Sequence, residues 1–200
     1  MGMWHERWAE QKTGWDLNGP HPLTKILFER VQALHPQVAK GRWLIPGCGR
    51  AHDAPFLLES GASAIDGRDL VPLAIEEAQR LYGHIQNLKF RYGDINDLSS
   101  SEVGAFDAIF DRAMLCALDG ENRVNYVRSC ERYLKPGGVF ASLAFASTFE
   151  PEIGPPFQIT KLQVEGLFGK GWQIESLEER RDGACGQKIL SEWILIVRKL

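Results

Sequence analysis

The 200-residue chain has no run of like charges, no paired cysteines and no apolar stretch of membrane length. Each absence removes a class of function. Net charge is −3, from 23 Lys and Arg against 26 Asp and Glu, so no basic face is offered to a nucleic-acid backbone. The densest charge cluster, Glu178-Glu179-Arg180-Arg181-Asp182, mixes signs and reads as a solvated turn or strand end. The cysteines Cys48, Cys116, Cys130 and Cys185 stand far apart, with no Cys-x-x-Cys pair. That argues against zinc, against any other metal centre and against a disulfide framework, and it fits a reducing compartment. The longest clearly apolar run, Trp193 to Val197, falls far short of the roughly 20 residues of a membrane span. No signal-peptide core follows the opening Trp4-His5-Glu6-Arg7-Trp8. The expectation is a cytoplasmic protein, a monomer, without membrane, nucleic-acid or metal partners.

What is present is a regular alternation. Two hundred residues is one domain's length, enough to bury roughly 70% of the unfolded surface without staples. A single domain over residues 1–200 is expected, with residues 1–20 as an aromatic arm. Leu23, Ile26, Leu27, Val31 and Leu34 follow helical spacing. Trp43-Leu44-Ile45 reads as a buried strand, residues 53–59 as a helix, and Ala62 to Ile65 as a second short strand running into Asp66-Gly67-Arg68-Asp69. Pro72 opens another helix, closed by Gly83. Leu88, Phe90 and Tyr92 alternate as a third strand, Phe106 to Phe110 forms a fourth, and Val139 to Ala146 a fifth after the helix marked by Val124, Val127 and Leu134. Strands separated by helices imply parallel pairing. Thr160 and Gln163 make a capping box for one more helix. Trp172 to Leu177 and Glu192 to Val197 follow without a convincing helix between them, which implies an antiparallel hairpin. The expected fold is α/β: a doubly wound, mostly parallel seven-stranded, Rossmann-like sheet ending in that hairpin.

In such a sheet ligands bind beyond the carboxyl ends of the strands. Four strand ends carry suggestive residues. Gly47-Cys48-Gly49 would let backbone approach a ligand without a Cβ in the way. Asp69, with Asp66 as its competitor, could accept two hydroxyl protons, or could cap the next helix instead. Asp94, with Ile95 beside it, could take an amino group. Asp111-Arg112 falls where the fourth strand runs out, so one or both should line the pocket. Trp4 and Trp8, four apart, fall on one side of a helix, with Trp15 close behind. They form either a hydrophobic lid or a set of indole faces for a cation. Cys48 reads as a small buried residue and His52-Asp53 as a helix start, while His5 and His21 could reach the pocket from the arm. The phosphate-binding fingerprint of nicotinamide enzymes is missing.

Taken together, Trp4-x-x-x-Trp8, Lys12-Thr13-Gly14-Trp15, Leu44-Ile45-Pro46-Gly47-Cys48-Gly49 and Phe106-Asp107-Ala108-Ile109-Phe110-Asp111-Arg112 resemble the thiopurine S-methyltransferase superfamily. Gly154-Pro155-Pro156-Phe157 and Leu167-Phe168-Gly169 extend the likeness. Pro46 to Gly49 followed by His52-Asp53 is similar to the halide/thiol branch, and Asp111-Arg112-Ala113 with Gly-Pro-Pro-Phe to the thiopurine branch. The resemblance implies a class I methyltransferase that uses S-adenosylmethionine. It implies that Trp4, Trp8, Trp15, Gly47, Gly49, Asp69, Asp94, Ile95 and Arg112 surround that cofactor or the adjoining acceptor site, and that residues 154–157 form a loop over the acceptor. The expected acceptor is a small thiol or thiopurine sulfur; a halide, oxygen or nitrogen nucleophile is the alternative. Arg112 is expected to favour the thiolate and Asp111 to take its proton through water.

Overall fold

A computed structural model of the chain describes residues 2–149, 154–181 and 189–200. Asp182 and Cys185 lie outside the described residues. The arm opens with α1 (Met3–Ala9), and α2 (Thr24–Leu34) and α3 (Pro36–Ala39) lead into the sheet. Then come β1 (Arg42–Pro46), α4 (Ala54–Glu59), β2 (Ala64–Asp69), α5 (Pro72–Tyr82), β3 (Leu88–Tyr92) and β4 (Phe106–Arg112). The chain continues through α6 (Met114–Ala117), α7 (Gly120–Tyr133), β5 (Leu134–Thr148), α8 (Lys161–Leu167), β6 (Trp172–Arg180) and β7 (Ile189–Lys199).

The seven strands are ordered β3-β2-β1-β4-β5-β7-β6. The first five pair in parallel, and β7 joins β5 and β6 antiparallel. The expected architecture is therefore the observed one. Strand order reverses between β1 and β4, which opens a crevice beyond their carboxyl ends.

Helices cover both faces because both faces of the central strands are apolar. Leu27, Phe28 and Val31 of α2, Leu57 of α4 and Ala78 of α5 pack with Ile45, Ala108 and Ala141 on one face. Tyr126, Cys130 and Tyr133 of α7 and Val164 of α8 pack with Ile109, Phe140 and Leu195 on the other. Each fully buried side chain of this size contributes about 1.5–3 kcal/mol. The Thr160–Gln163 capping box starts α8, with Gln163 N–H donating to Thr160 Oγ1 at 3.3 Å and Thr160 N–H donating to Gln163 Oε1 at 2.9 Å.

Two strand boundaries differ from expectation. Strand β2 does not stop at Ile65 but runs on through Asp66, Gly67, Arg68 and Asp69. The polar residues are tolerated because each has a specific neighbour. Arg42 Nε donates to Asp66 Oδ2 at 2.7 Å. Arg68 donates to the Tyr133 hydroxyl and, at 3.0 Å, to the Asp97 carbonyl. Gly67 is required by space, since a Cβ there would stand 2.7 Å from Phe90 Cδ1 and 3.0 Å from Cys48 Sγ. Strand β4 likewise includes Asp111 and Arg112 rather than ending at Phe110. That extension decides which way each of the two points.

Candidate active site

The loop after β1 takes left-handed backbone at Gly47, φ +56°, at Gly49, φ +53°, and at Ala51, φ +57°, and the first two are glycine. Asp69, at the end of neighbouring β2, braces this turn. Its Oδ2 accepts from Gly49 N–H at 2.9 Å and its Oδ1 from Val71 N–H at 2.9 Å. The carboxylate thus ties two strand-end loops together, and it does so without capping α5, whose N-cap is Val71. Burial raises its pKa, against the two N–H donors that favour its charge. A carboxylate has about four lone-pair positions, so Asp69 keeps acceptor capacity beyond the backbone amides it holds. Its competitor Asp66 is committed to Arg42 at the far end of the strand.

The strand-end loops and the arm converge on one cavity of ≈ 650 Å³, within the usual range of ligand sites. Gly47, Gly49, Arg68, Asp69, Gly93, Ile95 and Arg112 reach it from β1 to β4 and their loops. The arm supplies Trp4, Arg7, Trp8, Lys12, Gly14 and Trp15. Ala113, Met114, Ala117 and Leu118 around α6, with Phe145, Thr148, Pro155 and Pro156, complete the wall.

The arm is held down by charge. Arg50, just past the glycine turn, donates to Asp16, to Thr13 Oγ1 at 3.3 Å and to Glu77 Oε2 at 2.9 Å. Its guanidinium also lies 4.8 Å from the Trp8 ring centroid. His52 Nε2 approaches Asp16 Oδ1 at 3.2 Å. Despite partial burial, His52, Arg50 and the Asn18 backbone hold the Asp16 carboxyl well below the ordinary carboxylate range. Arg112 secures the arm from the other side, donating from Nη2 to the Trp15 carbonyl at 2.8 Å. Trp4 packs edge-on to Trp15 at 5.4 Å and faces the Arg7 guanidinium at 5.5 Å. Trp4 and Trp8 each already face a guanidinium of the protein.

Two expected site residues fall elsewhere. Asp111 is fully buried and does not line the cavity. Its Oδ2 accepts from the Tyr126 hydroxyl at 2.7 Å and Leu115 N–H at 3.1 Å, and its Oδ1 from the Ser142 hydroxyl at 2.9 Å. Burial pushes its carboxyl up to about 6. It anchors α6 and α7 to the sheet, so the expected role as proton acceptor is corrected to a structural one. The reason is the pleat: adjacent strand residues face opposite ways, and with Arg112 in the cavity Asp111 points into the α7 layer. Asp94 is exposed, between cavity-lining Gly93 and Ile95, and its Oδ1 accepts from Asn96 N–H at 2.8 Å. It sits outside the wall as a turn former. His5 and His21 do not line the cavity either. His21 is buried against Glu192, with Nε2 to Oε1 at 3.2 Å. Cys48 is buried, and Asp53 accepts from His21 N–H at 2.7 Å and the Thr24 hydroxyl at 2.6 Å.

Arg7, Arg68, Met114, Phe145 and Thr148 reach the cavity without having been singled out from sequence. Arg7 stands three residues after Trp4, a spacing that shares a helix face. Phe145 and Thr148 lie at the carboxyl end of β5, where the strand-end rule applies as it does to β1 to β4.

The geometry has counterparts. A sequence profile of the thiopurine S-methyltransferase family matches residues 1–188. The chain belongs to the thiopurine S-methyltransferase family. It is accordingly an S-adenosylmethionine-dependent methyltransferase. It is 31% identical over 189 residues to a thiopurine S-methyltransferase of Nitrosospira multiformis, covering 87% of this chain and 83% of that one. It is 30% identical over 199 residues to thiocyanate methyltransferase 1 of Brassica oleracea, covering 96% and 84%. The fold matches the crystal structure of a Burkholderia thailandensis 1,6-didemethyltoxoflavin-N1-methyltransferase with a TM-score of 0.71 at 17% identity, over 97% of this chain and 84% of that one.

Whether these residues suit the cofactor is decided by the donors they leave free. Asp69 and the glycine turn line the cavity, and Arg112 Nε and Arg68 Nε have no acceptor among the described residues. Hydroxyl-accepting and carboxylate-binding groups are both present, and they fit a nucleoside joined to an amino acid.

Proposed function

We propose that this enzyme methylates the sulfur of a small thiol or thiopurine, with the cofactor's nucleoside at Asp69, Gly47, Gly49 and Ile95 and the acceptor between Arg112, the tryptophan arm and Pro155-Pro156. The observation that carries the reading is the convergence of Asp69, the glycine turn, Arg112 and Trp4, Trp8 and Trp15 on one cavity. S-adenosylmethionine supplies an already activated methyl group. The protein's contribution is alignment and exclusion of water. Asp69 holds the ribose end. Trp8, pinned by Arg50, covers the glycine turn; a Cβ on Gly49 would lie 3.7 Å from Trp8 Cζ2.

A thiol with a pKa near 8.5 is only a few per cent ionised at neutral pH. Arg112 raises the thiolate fraction electrostatically, and the displaced proton leaves to solvent, since Asp111 is walled off from the cavity. The basic side chains Arg7, Lys12 and Arg112 on the acceptor side favour an anionic nucleophile. Residues of one copy of the chain line the cavity, which supports a monomer, and the free, buried Cys48, Cys116 and Cys130 support a reducing, cytoplasmic setting.

A panel of thiols, thiopurines and halides assayed with S-adenosylmethionine tests the reading. Thiols and thiopurines turned over in preference to halides, oxygen and nitrogen nucleophiles are expected. Unchanged thiol turnover in Arg112→Ala would remove Arg112 from the mechanism, and methyl halide as the main product would replace the acceptor assignment.

A further inference from the structure

Among the described residues, one hydroxyl on the cavity wall is buried without a partner, beside the Nε atoms of Arg68 and Arg112. Thr148, the last residue of β5, is 7% exposed and lines the cavity. Its hydroxyl is buried and has no hydrogen-bond partner among the described residues. Phe145, Ala117, Leu118, Pro155 and Pro156 line the same cavity with apolar side chains, and Arg7, Lys12 and Arg112 bring charge to it. A buried hydroxyl is normally satisfied, and Val would fill the same space without the unmet bond. Ser142, on the same strand, shows the ordinary case: its hydroxyl donates to Asp111. The other unpartnered buried atom on the acceptor side is Arg112 Nε.

We propose that Thr148 is an acceptor-specificity residue whose hydroxyl hydrogen-bonds a second polar atom of the methyl acceptor. The enzyme's own acceptor is then a thiol that carries a hydroxyl, carbonyl or ring nitrogen besides its sulfur, not a bare alkyl or aryl thiol. The inference rests on the S-methyltransferase reading above and adds to it the chemistry of the acceptor's far end. A hydroxyl proton turns freely about the Cβ–Oγ bond, so Thr148 can donate or accept. A site built to hydrogen-bond a substrate discriminates strongly against the isostere that lacks the group, because the site's own atom stays unpaired.

The test compares isosteric thiols: 2-mercaptoethanol with 1-propanethiol, and 3-mercaptophenol with 3-methylbenzenethiol, each assayed for release of S-adenosylhomocysteine. Wild type is expected to prefer the hydroxyl-bearing member of at least one pair by about tenfold or more in kcat/KM, one good hydrogen bond's worth. Thr148→Val should bring that ratio close to one. Thr148→Ser should retain the preference. Equal turnover of both members of both pairs by wild type, or an undiminished preference in Thr148→Val, overturns the role of Thr148 and leaves S-methylation standing. If neither the four thiols nor a thiopurine assayed beside them is methylated, the S-methyltransferase reading fails, and this inference with it.

Discussion

Replacing Asp111 with Asn should make the protein's stability less sensitive to pH, and the size of the effect follows from where the carboxyl sits. Asp111 is wholly buried, and burial raises its pKa from the ordinary 3.8 to about 6 despite the three donors that favour its charge. Between those two values the native protein holds a proton that the unfolded chain has released. Stability therefore falls as pH rises through this window: the contribution is fully present below about pH 4 and is lost above about pH 6. A difference of about 2 pKa units at 1.36 kcal/mol each gives about 3 kcal/mol. The amide of the Asp111→Asn variant cannot titrate, so urea unfolding of wild type and variant at pH 4, 5, 6 and 7 isolates this group. The variant should gain on wild type by about 2 kcal/mol between pH 4 and pH 7, whatever its offset at pH 4. A constant difference would refute the reasoning. A gain by wild type would invert it, showing that the Tyr126, Ser142 and Leu115 donors outweigh burial. Because Asp111 does not reach the cavity, thiol turnover per folded molecule at pH 7 should be unchanged in the same variant.

Gly47→Ala should lower the melting temperature by roughly 2–8 °C, because a left-handed residue with a Cβ costs about 1–2 kcal/mol and the new Cβ would stand 2.7 Å from Met114 Sδ; an unchanged melting temperature would contradict the turn geometry. Asp69→Ala unpairs the Gly49 and Val71 amides and removes the hydroxyl acceptor, so calorimetric affinity for S-adenosylhomocysteine should fall by about tenfold or more. Wild-type affinity in that variant would place the ribose elsewhere. Arg50→Met cuts the ties to Asp16, Thr13 and Glu77, and limited proteolysis should then cleave within residues 1–20 faster, with a raised KM for the methyl donor. An arm cleaved no faster than in wild type would show that packing, not charge, holds it.

The sheet was legible because strand and helix periods alternate cleanly, and the last two strands follow each other without a helix of convincing length. Boundaries misled where polar residues sit inside a strand. Asp66-Gly67-Arg68-Asp69 looks like a loop until Arg42, Tyr133 and Phe90 are placed around it, and those neighbours lie 24, 65 and 23 positions away in sequence at their paired atoms. Asp111 was misassigned for a different reason, and the corrective signal was local. In the pleat Asp111 and Arg112 point to opposite faces of β4, and Arg112, whose long side chain reaches back to the arm, is the better occupant of the cavity. Asp94 illustrates the limit of a strand-end rule: the rule finds the loop, and the loop's own turn chemistry decides which of its residues looks inward.

The two halves of the cavity are built from different material. The half proposed for the nucleoside rests on the ends of β1 and β2, with Asp69 clamping backbone amides of both loops, so its geometry is a property of the sheet. The half proposed for the acceptor is assembled from the arm, the short α6, the end of β5 and Pro155-Pro156, joined in part by long-range bonds such as Arg112 to the Trp15 carbonyl and Arg7 to the Pro155 carbonyl at 3.5 Å. Substitution in the second half can alter which nucleophile is seated without disturbing the clamp that seats the donor, which is how one fold carries several acceptor chemistries. Specificity changes should therefore map to Arg7, Phe145, Thr148 and the α6 wall, whereas losses of donor binding should map to Gly47, Gly49 and Asp69.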